Sequence, residues 1–172
     1  MTVSGGAVVY ASDINTIEGK TSDKPICRLS QQAAQTGNAS GATLTLSFGS
    51  GSEVVDTDGF HDETTNNTRI TPNKPGWYRV IVQPILAFNA NLTSVNSAVI
   101  KNGSVVQRSG NHRPNTSAVN CAGMTLESWH TANGTTDYFE GGVTAVTSSG
   151  TWDTNAVAAS TSTFSVEFMR DL

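Results

Sequence analysis

The chain is poor in charged residues and in residues that favour helices. Only 14% of its 172 residues are charged, and ten Lys and Arg against fourteen Asp and Glu give a formal net charge of −4. Affinity for nucleic acid comes largely from Lys and Arg on phosphates, so we expect no nucleic-acid binding. Few Leu, Lys and Glu beside many Thr, Val and Asn indicate a β-rich protein with polar loops and almost no helix.

Long apolar runs and paired cysteines are also lacking. No run approaches the roughly 20 residues of a membrane span, and the N-terminus lacks the charged-then-apolar layout of a signal peptide. We therefore expect a soluble chain, made in a cytoplasm and not inserted into a membrane. Cys27 and Cys121 lie far apart without metal-ligand spacing, and are interpreted as buried free thiols, with a disulfide as the alternative.

Residues 1–24 differ in composition from the rest of the chain. The segment Ser12–Glu18 has an N-cap residue, an early acidic residue and two isoleucines three positions apart, which predicts one or two helical turns. So short a helix needs another surface to cover its isoleucines. We interpret residues 1–24 as an anchoring arm and linker, with a disordered leader as the alternative, and residues 25–172 as one domain.

The clearest strand signal lies in the stretch Asn67–Phe88. A short strand over Thr68–Thr71 is stopped by two prolines, and Gly76 begins a longer run rich in aromatic and β-branched residues. Pro84 predicts a bulge, a bend or an edge position, because it cannot donate a ladder hydrogen bond. Alternation predicts a core face of Tyr78, Val80, Val82 and Pro84, and an opposite face of Trp77, Arg79, Ile81 and Gln83.

The rest of the chain also has the pattern of strands and turns. Asn102-Gly103 is the most specific local signal, since a type I′ hairpin turn needs positive φ at both positions. The terminal strand is expected inside a sheet. Other strands are predicted at Ile26–Ala34, Ala42–Phe48, Ser52–Asp56, Ser94–Lys101, Ser104–Gln107, Val119–Trp129, Asp137–Thr147 with an interruption at Gly141-Gly142, and Ser162–Met169, with turns at Thr131–Thr135 and a hydrophilic loop at Arg108–Ser117. About eight to ten strands without a helical pattern predict an antiparallel two-sheet sandwich, with a jelly roll as the favoured variant.

Several motifs, in order and spacing, resemble a known family. They are Asp56-Thr57-Asp58-Gly59-Phe60, Arg69-Ile70-Thr71-Pro72, Pro75-Gly76-Trp77-Tyr78, Ile100-Lys101-Asn102-Gly103 and the closing Phe164-Ser165-Val166. They resemble the complement-globular-head and tumour-necrosis-factor-like jelly rolls, in the versions found in bacteriophage tail and head fibre proteins. The resemblance covers about residues 40–172 and weakens where Thr135–Phe139 replaces the usual Gly-Asp-x-Val-like motif. Residues 11–17 are similar to the short starts by which many phage structural proteins attach to the virion.

The resemblance implies a jelly roll of about ten strands that assembles as a compact homotrimer. It also implies a non-enzymatic virion protein, a head or tail fibre or decoration knob, made in the host cytoplasm. Residues 1–24 would hold it to capsid or tail proteins, and no cofactor is implied. An outward sheet face carrying Trp77, Ile81 or Phe139 would offer apolar surface for burial on neighbouring copies.

Three groups of polar residues are candidates for metal binding or catalysis. The acidic loop Asp56–Glu63 has clustered carboxylates that suit calcium but fails the EF-hand pattern; a structural loop is favoured and a metal is left open. The histidines His61, His112 and His130 are dispersed, which gives zinc little support. Asp137 and Glu140 can be drawn as a glycosidase pair, but we interpret them as strand residues that face solvent and assign no catalytic residue.

Three aromatic residues are candidates for stacking on sugar rings: Trp129, Trp152 and Tyr138. Core or interface positions are the favoured interpretation. A carbohydrate-binding module that recognises a host-surface glycan is therefore the second hypothesis. A secreted bacterial signalling-type domain is the third, and the missing signal peptide counts against it.

Overall fold

The computed structural model describes residues 24–87, 91–113, 120–122, 124–157 and 160–172, with the backbone alone at 120–122 and 157. These residues form strands and loops and contain no helix, so they include no helix that could cross a membrane. The strands are β1 (Ile26–Ser30), β2 (Thr43–Thr45), β3 (Glu53–Asp56), β4 (Arg69–Ile70), β5 (Pro75–Gln83), β6 (Ile85–Ala87), β7 (Leu92–Lys101), β8 (Ser104–Arg108), β9 (Asn120–Ala122), β10 (Leu126–Asn133), β11 (Phe139–Thr147), β12 (Ala156–Val157), β13 (Ser160–Thr161) and β14 (Thr163–Arg170).

Two five-stranded antiparallel sheets make up the sandwich. The first has the order β10-β5-β14-β1-β3, and the second has the order β2-β11-β7-β8 with β4 also paired to β11. Two small two-stranded sheets, β6-β9 and β12-β13, complete the structure. The ten strands of the main sheets confirm the predicted antiparallel jelly roll. Residues 1–23 of the predicted arm, 1–24, lie outside the described residues, so the division after residue 24 stays a prediction.

The core lies between the two main sheets and is supplied by alternate residues of their strands. Tyr78, Val80 and Val82 of β5 are fully buried, as predicted from alternation, and Phe164 and Val166 of β14 pack beside them. Burial of each large apolar side chain contributes roughly 1.5–3 kcal/mol. The terminal strand β14 lies between β5 and β1, which confirms its predicted place inside a sheet.

The turns at Pro84 and at Asn102-Gly103 also agree with the sequence. β5 ends at Gln83 and β6 begins at Ile85, so the proline marks a break. Asn102 and Gly103 have φ of 52° and 77°, as a type I′ turn requires. The Asn102 side chain also accepts a hydrogen bond from the backbone N–H of Tyr138 at 3.0 Å, which holds the turn against the start of β11.

The single continuous strand predicted over Val119–Trp129 is wrong, because this segment contributes to two separate strands. The chain instead forms β9, which pairs with β6, and then β10, which pairs with β5 and continues to Asn133. Met124 and Thr125 between them are exposed, whereas Leu126 is buried, so the alternation is not continuous. The turn predicted from Thr131 therefore begins later, near Gly134.

The predicted interruption at Gly141-Gly142 is also wrong, because β11 runs through both glycines. A Cβ at Gly141 would lie 3.1 Å from the ring of Phe164, and one at Gly142 would lie 3.0 Å from Ile100. The glycines therefore make room for neighbouring side chains rather than ending the strand. Phe139, expected on an outward face, is fully buried in the core.

Three other predicted strands are shorter in the structure. The strand predicted to Ala34 ends at Ser30, and the strand predicted over Thr68–Thr71 is reduced to Arg69–Ile70. In the segment predicted as Ala42–Phe48, only Thr43–Thr45 pairs as a strand. Leu46 and Phe48 are nevertheless buried, Leu44 is partly buried, and Ala42 is exposed.

Candidate interaction surface

The first sheet has one face on the core and one face directed away from it. Among the side chains that alternation along the strands and the register between them place on the outward side, we select ten, none of which is buried. We call this set the open face. It consists of Ile26, Arg28, Trp77, Arg79, Ile81, Glu127, Trp129, Ser165, Glu167 and Met169.

Trp129 is the most prominent side chain of the open face. It is 51% exposed, and no other aromatic residue is among the exposed large hydrophobic side chains of the described chain. In the register, Trp129 lies opposite Arg79, which lies opposite Glu167. Ile81 and Trp77 follow on the same strand as Arg79. Apolar area on a flat sheet face is typical of a surface that contacts another molecule.

An arginine between two glutamates lies within this apolar surface. Arg79 Nη2 donates to Glu127 Oε2 at 2.7 Å, and Nη1 lies 3.6 Å from Glu167 Oε2. The hydrogen bond from Arg79 lowers the pKa of Glu127, and the same bond raises the pKa of Arg79. We call these three residues the charge triplet. It joins β10, β5 and β14 across the open face.

A second exposed surface lies at one side of the sandwich. All five residues of β8 are exposed, including Val105 and Val106 at 41% and 42%, although neighbouring strand residues point to opposite faces. β8 ends the second sheet and β10 ends the first. Lys101 of β7 donates to the carbonyl of Thr131 in β10 at 2.7 Å, so the two end strands lie on the same side. We call Val105, Val106 and Met124 the apolar margin.

The acidic loop Asp56–Glu63 uses its carboxylates to bind backbone N–H groups. Asp56 accepts from Phe60 and His61 at 3.0 and 2.8 Å, and Asp62 accepts from Thr64 and Thr65, both at 2.9 Å. These bonds, with that from Thr65 the strongest, lower the pKa of Asp62 to about 2. Within the described residues no group of three metal-ligating side chains occurs. The hydrogen bonds favour the structural interpretation of this loop.

His61 closes the same loop onto the sandwich. Its Nδ1 lies 2.8 Å from the carbonyl oxygen of Arg69, and its Nε2 lies 2.9 Å from that of Phe48. The ring is buried, so these contacts replace water for two interior carbonyls. A cavity of about 210 Å³ lies beside it, lined by Gly59, Phe60, His61, Asp62, Thr65, Asn66, Arg69 and Thr71.

The two carboxylates considered as a glycosidase pair belong to separate hydrogen-bond groups. Asp137 accepts from Asn102 at 2.7 Å and pairs with Lys101 at 3.0 Å, and the bond from Asn102 lowers its pKa most. Glu140 is buried, accepts from the Thr68 hydroxyl at 2.7 Å and lies 3.6 Å from Arg69 Nε. Glu140 is therefore not the solvent-facing residue expected. Each carboxylate joins neighbouring segments of the second sheet.

The three sugar-stacking candidates have different surroundings. Trp152 is 1% exposed and its indole N–H donates to the Ala39 carbonyl at 3.0 Å, which confirms the favoured interpretation as a core residue and leaves no ring face for a sugar. Tyr138 is partly buried, and the guanidinium of Arg69 lies 4.0 Å from its ring centroid. Trp129 alone of the three is exposed.

The other two histidines and Cys27 contact neighbouring residues of the sandwich. The backbone of His112 pairs with that of Val95, and His130 lies against Phe139, where burial lowers its pKa. Cys27 is a buried free thiol, as predicted, and burial raises its pKa. The side chain of Cys121 lies outside the described residues.

Sequence reasoning missed the charge triplet and the apolar margin. Alternation predicted the outward direction of Arg79, but its partners are 48 and 88 positions away and depend on register. One feature of the sequence indicates the apolar margin. Val105 and Val106 are adjacent in a predicted strand, so alternation directs one of the two valines away from the core.

Comparisons with known proteins identify the fold. No protein-family model and no curated protein matches the chain. The globular domain of zebrafish complement 1qA protein is similar in structure, with a TM-score of 0.55 and 11% identity, over 87% of this chain and 100% of that chain. Murine APRIL at pH 5.0 is similar with a TM-score of 0.58 and 10% identity, over 86% and 100%.

The chain has the complement-globular-head and tumour-necrosis-factor-like jelly-roll fold. This confirms the fold predicted from the motifs, and identities of 10–11% establish the fold alone. The phage origin, the virion location and the arm's partners stay predictions.

Proposed function

We propose that the chain is a non-enzymatic, self-assembling globular head, a homotrimer that serves as a head or tail fibre or decoration knob of a bacteriophage particle. The observation that carries the proposal is the open face, on which Trp129, Trp77 and Ile81 leave apolar surface outside the core of a single copy. A second copy that covered this face would remove that surface from water, which favours association.

The positions of the two exposed surfaces support a ring rather than a face-to-face dimer. The open face and the apolar margin are different patches, the first on the outward side of the first sheet and the second at the side of the sandwich. Contact between unlike patches is heterologous, and it closes into a ring when the rotation between copies permits. The motif resemblance favours three copies.

The place on a particle rests on the motifs and on the arm. In this proposal residues 1–24 attach the head to capsid or tail proteins, because a short helix with two isoleucines needs another surface. Three arms on one trimer would multiply a weak contact, since the second and third attachments become intramolecular. The head would then act by shape and avidity and would perform no reaction.

Solution mass tests the assembly part of the proposal directly. Light scattering would be measured on the full chain and on a chain that begins at Lys24. We expect each at three times its own chain mass, which is 18.0 kDa for the full chain, because the surfaces involved lie in the domain. A monomeric full chain would overturn the proposal. A trimer that becomes monomeric on truncation would make residues 1–23 the assembly element.

Copurification tests the particle part. The full chain and the chain beginning at Lys24 would be incubated with virions from a phage lysate that lack this protein, and the particles would be sedimented. We expect the full chain to sediment with the particles and the shortened chain to remain in solution. Failure of the full chain to bind would remove the virion proposal and leave the assembly proposal intact.

Carbohydrate recognition is the second candidate, and Trp129 favours it. An exposed indole beside a charged hydrogen-bonding pair, here Arg79 and Glu127, is a combination that can stack on a sugar ring and bond its hydroxyls. A glycan array separates the candidates. Binding that disappears in Trp129→Ala would support a host-surface glycan as ligand, whereas a pure structural knob binds no glycan.

A further inference from the structure

The charge triplet has a position that matters for any molecule covering the open face. Arg79 lies on the second of the five strands, between Glu127 on β10 and Glu167 on β14. Its side chain and those of both glutamates are about one-third to two-fifths exposed, at 36%, 44% and 32%. All three can therefore still be desolvated by a partner.

Apolar residues lie beside each member of the triplet. Trp129 is opposite Arg79, Ile81 is opposite Glu127, and Ile26 is opposite Glu167. A second copy that buries Trp129 and Ile81 must therefore also cover the guanidinium and both carboxylates. The other charged residues of this region are Arg28 on β1 and Arg170 at the end of β14, where its guanidinium is 5.7 Å from the Trp77 ring centroid.

We propose that Glu127, Arg79 and Glu167 form the ionic centre of the contact between copies of this chain, and that acid separates the copies by neutralising the two glutamates. This inference rests on the self-association proposed above. It goes further by naming the residues on which the contact depends and the condition that releases it.

The physical reason is the cost of an unpaired charge away from water. At neutral pH Arg79 keeps a carboxylate partner on each side when the contact removes solvent, and the triplet as a whole carries one excess negative charge. Once both are protonated, Arg79 stays charged, because its guanidinium does not lose its proton in the accessible range. A covered cation without a partner opposes association far more strongly than an exposed one. The assembled state is therefore favoured while the two carboxylates are ionised and is lost once both are protonated.

Three variants make opposite predictions for the pH profile. Glu127→Gln with Glu167→Gln imitates the acid state, so its dissociation constant should rise roughly 100-fold or more at about pH 7.5. Arg79→Met leaves two unpaired carboxylates, so it should assemble poorly at about pH 7.5 and better at about pH 3. The triple variant has no charge at the centre and should assemble equally at both pH values.

The measurement is solution mass against protein concentration at both pH values, with circular dichroism to confirm that each sample is folded. Asp58→Asn and Arg113→Met are matched controls, because both residues are exposed and neither belongs to the open face. Each control should behave as the wild type does.

The outcomes distinguish this inference from the proposal beneath it. A wild type that is monomeric at about pH 7.5 overturns both. A wild type that assembles equally at both pH values, or a double glutamine variant that assembles as tightly as the wild type, overturns the inference alone. Reversal of the pH profile in Arg79→Met supports it, since a general loss of folding in acid cannot reverse the profile.

Discussion

Gly76 and Phe168 are in such close contact that no side chain fits between them. A Cβ placed on Gly76 would lie 2.4 Å from Cε2 of Phe168, and 2.6 Å from the carbonyl oxygen of Arg170. The contact joins the start of β5 to the end of β14, beside the register shift between Phe168 and Arg170. The glycine of the Pro-Gly-Trp-Tyr motif is therefore required by packing against the terminal strand.

Replacing this glycine should destabilise the fold. We expect Gly76→Ala to lower the free energy of unfolding by about 1–3 kcal/mol or more, because the backbone of Arg170 cannot move aside without disturbing β14. Urea denaturation measures the change. Gly110→Ala is the control, since a Cβ added there would meet nothing within 4 Å, and it should be close to neutral. Equal stability of the two variants would contradict the packing argument.

His61 should contribute to stability through the two carbonyls that it contacts. We expect His61→Ala to cost about 1–3 kcal/mol, because the imidazole N–H donates to one of the carbonyls of Phe48 and Arg69, and that carbonyl loses its buried partner. Chemical denaturation and hydrogen exchange of the Asp56–Glu63 loop would both report the loss. His112→Ala removes a partly exposed ring and should have a smaller effect. If His61→Ala were as stable as His112→Ala, water would be replacing the ring without cost.

Local patterns predicted the parts of this fold that depend on one strand or one turn. The alternation of Tyr78, Val80 and Val82 and the turn at Asn102-Gly103 are such features, because strand period and turn geometry are properties of a few adjacent residues. These features were enough to indicate an antiparallel sandwich.

Features that depend on neighbours distant in sequence were not accessible in this way. Gly141 and Gly142 resemble a strand break until Phe164 and Ile100 are placed against them. The transition from β9 to β10 depends on two different partner strands, β6 and β5, which the pattern over Val119–Trp129 does not distinguish. The charge triplet likewise requires the register of three strands.

The carboxyl group of Asp62 should titrate well below its usual range. The backbone N–H groups of Thr65 and Thr64 and the Thr64 hydroxyl, at 2.7 Å, all donate to it, and its pKa is lowered to about 2. A lowered value in the folded state stabilises the fold above the unfolded value of about 3.8, and this contribution is lost as the pH falls towards 2.

Carbon-detected NMR titration of the side-chain carboxyl measures this directly. Thr64→Val removes the hydroxyl donor and keeps the backbone N–H groups, so we expect the pKa of Asp62 to rise part of the way towards 3.8. An unchanged value in Thr64→Val would mean that the backbone N–H groups alone account for the shift.

Trp129 should be needed for assembly and not for folding. Because the indole is 51% exposed in a single copy, Trp129→Ser removes little from the core, and we expect a change of less than about 1 kcal/mol in unfolding free energy. The same change removes the largest exposed apolar side chain of the open face, so the proposed trimer should weaken by roughly 30-fold or more, as at an aromatic hot spot. Light scattering across a dilution series measures this.

Val146→Ser, at an exposed position on the second sheet, should leave assembly unchanged. A Trp129→Ser protein that remained as tightly trimeric as the wild type would leave the indole free for another partner, and would shift the balance towards carbohydrate recognition.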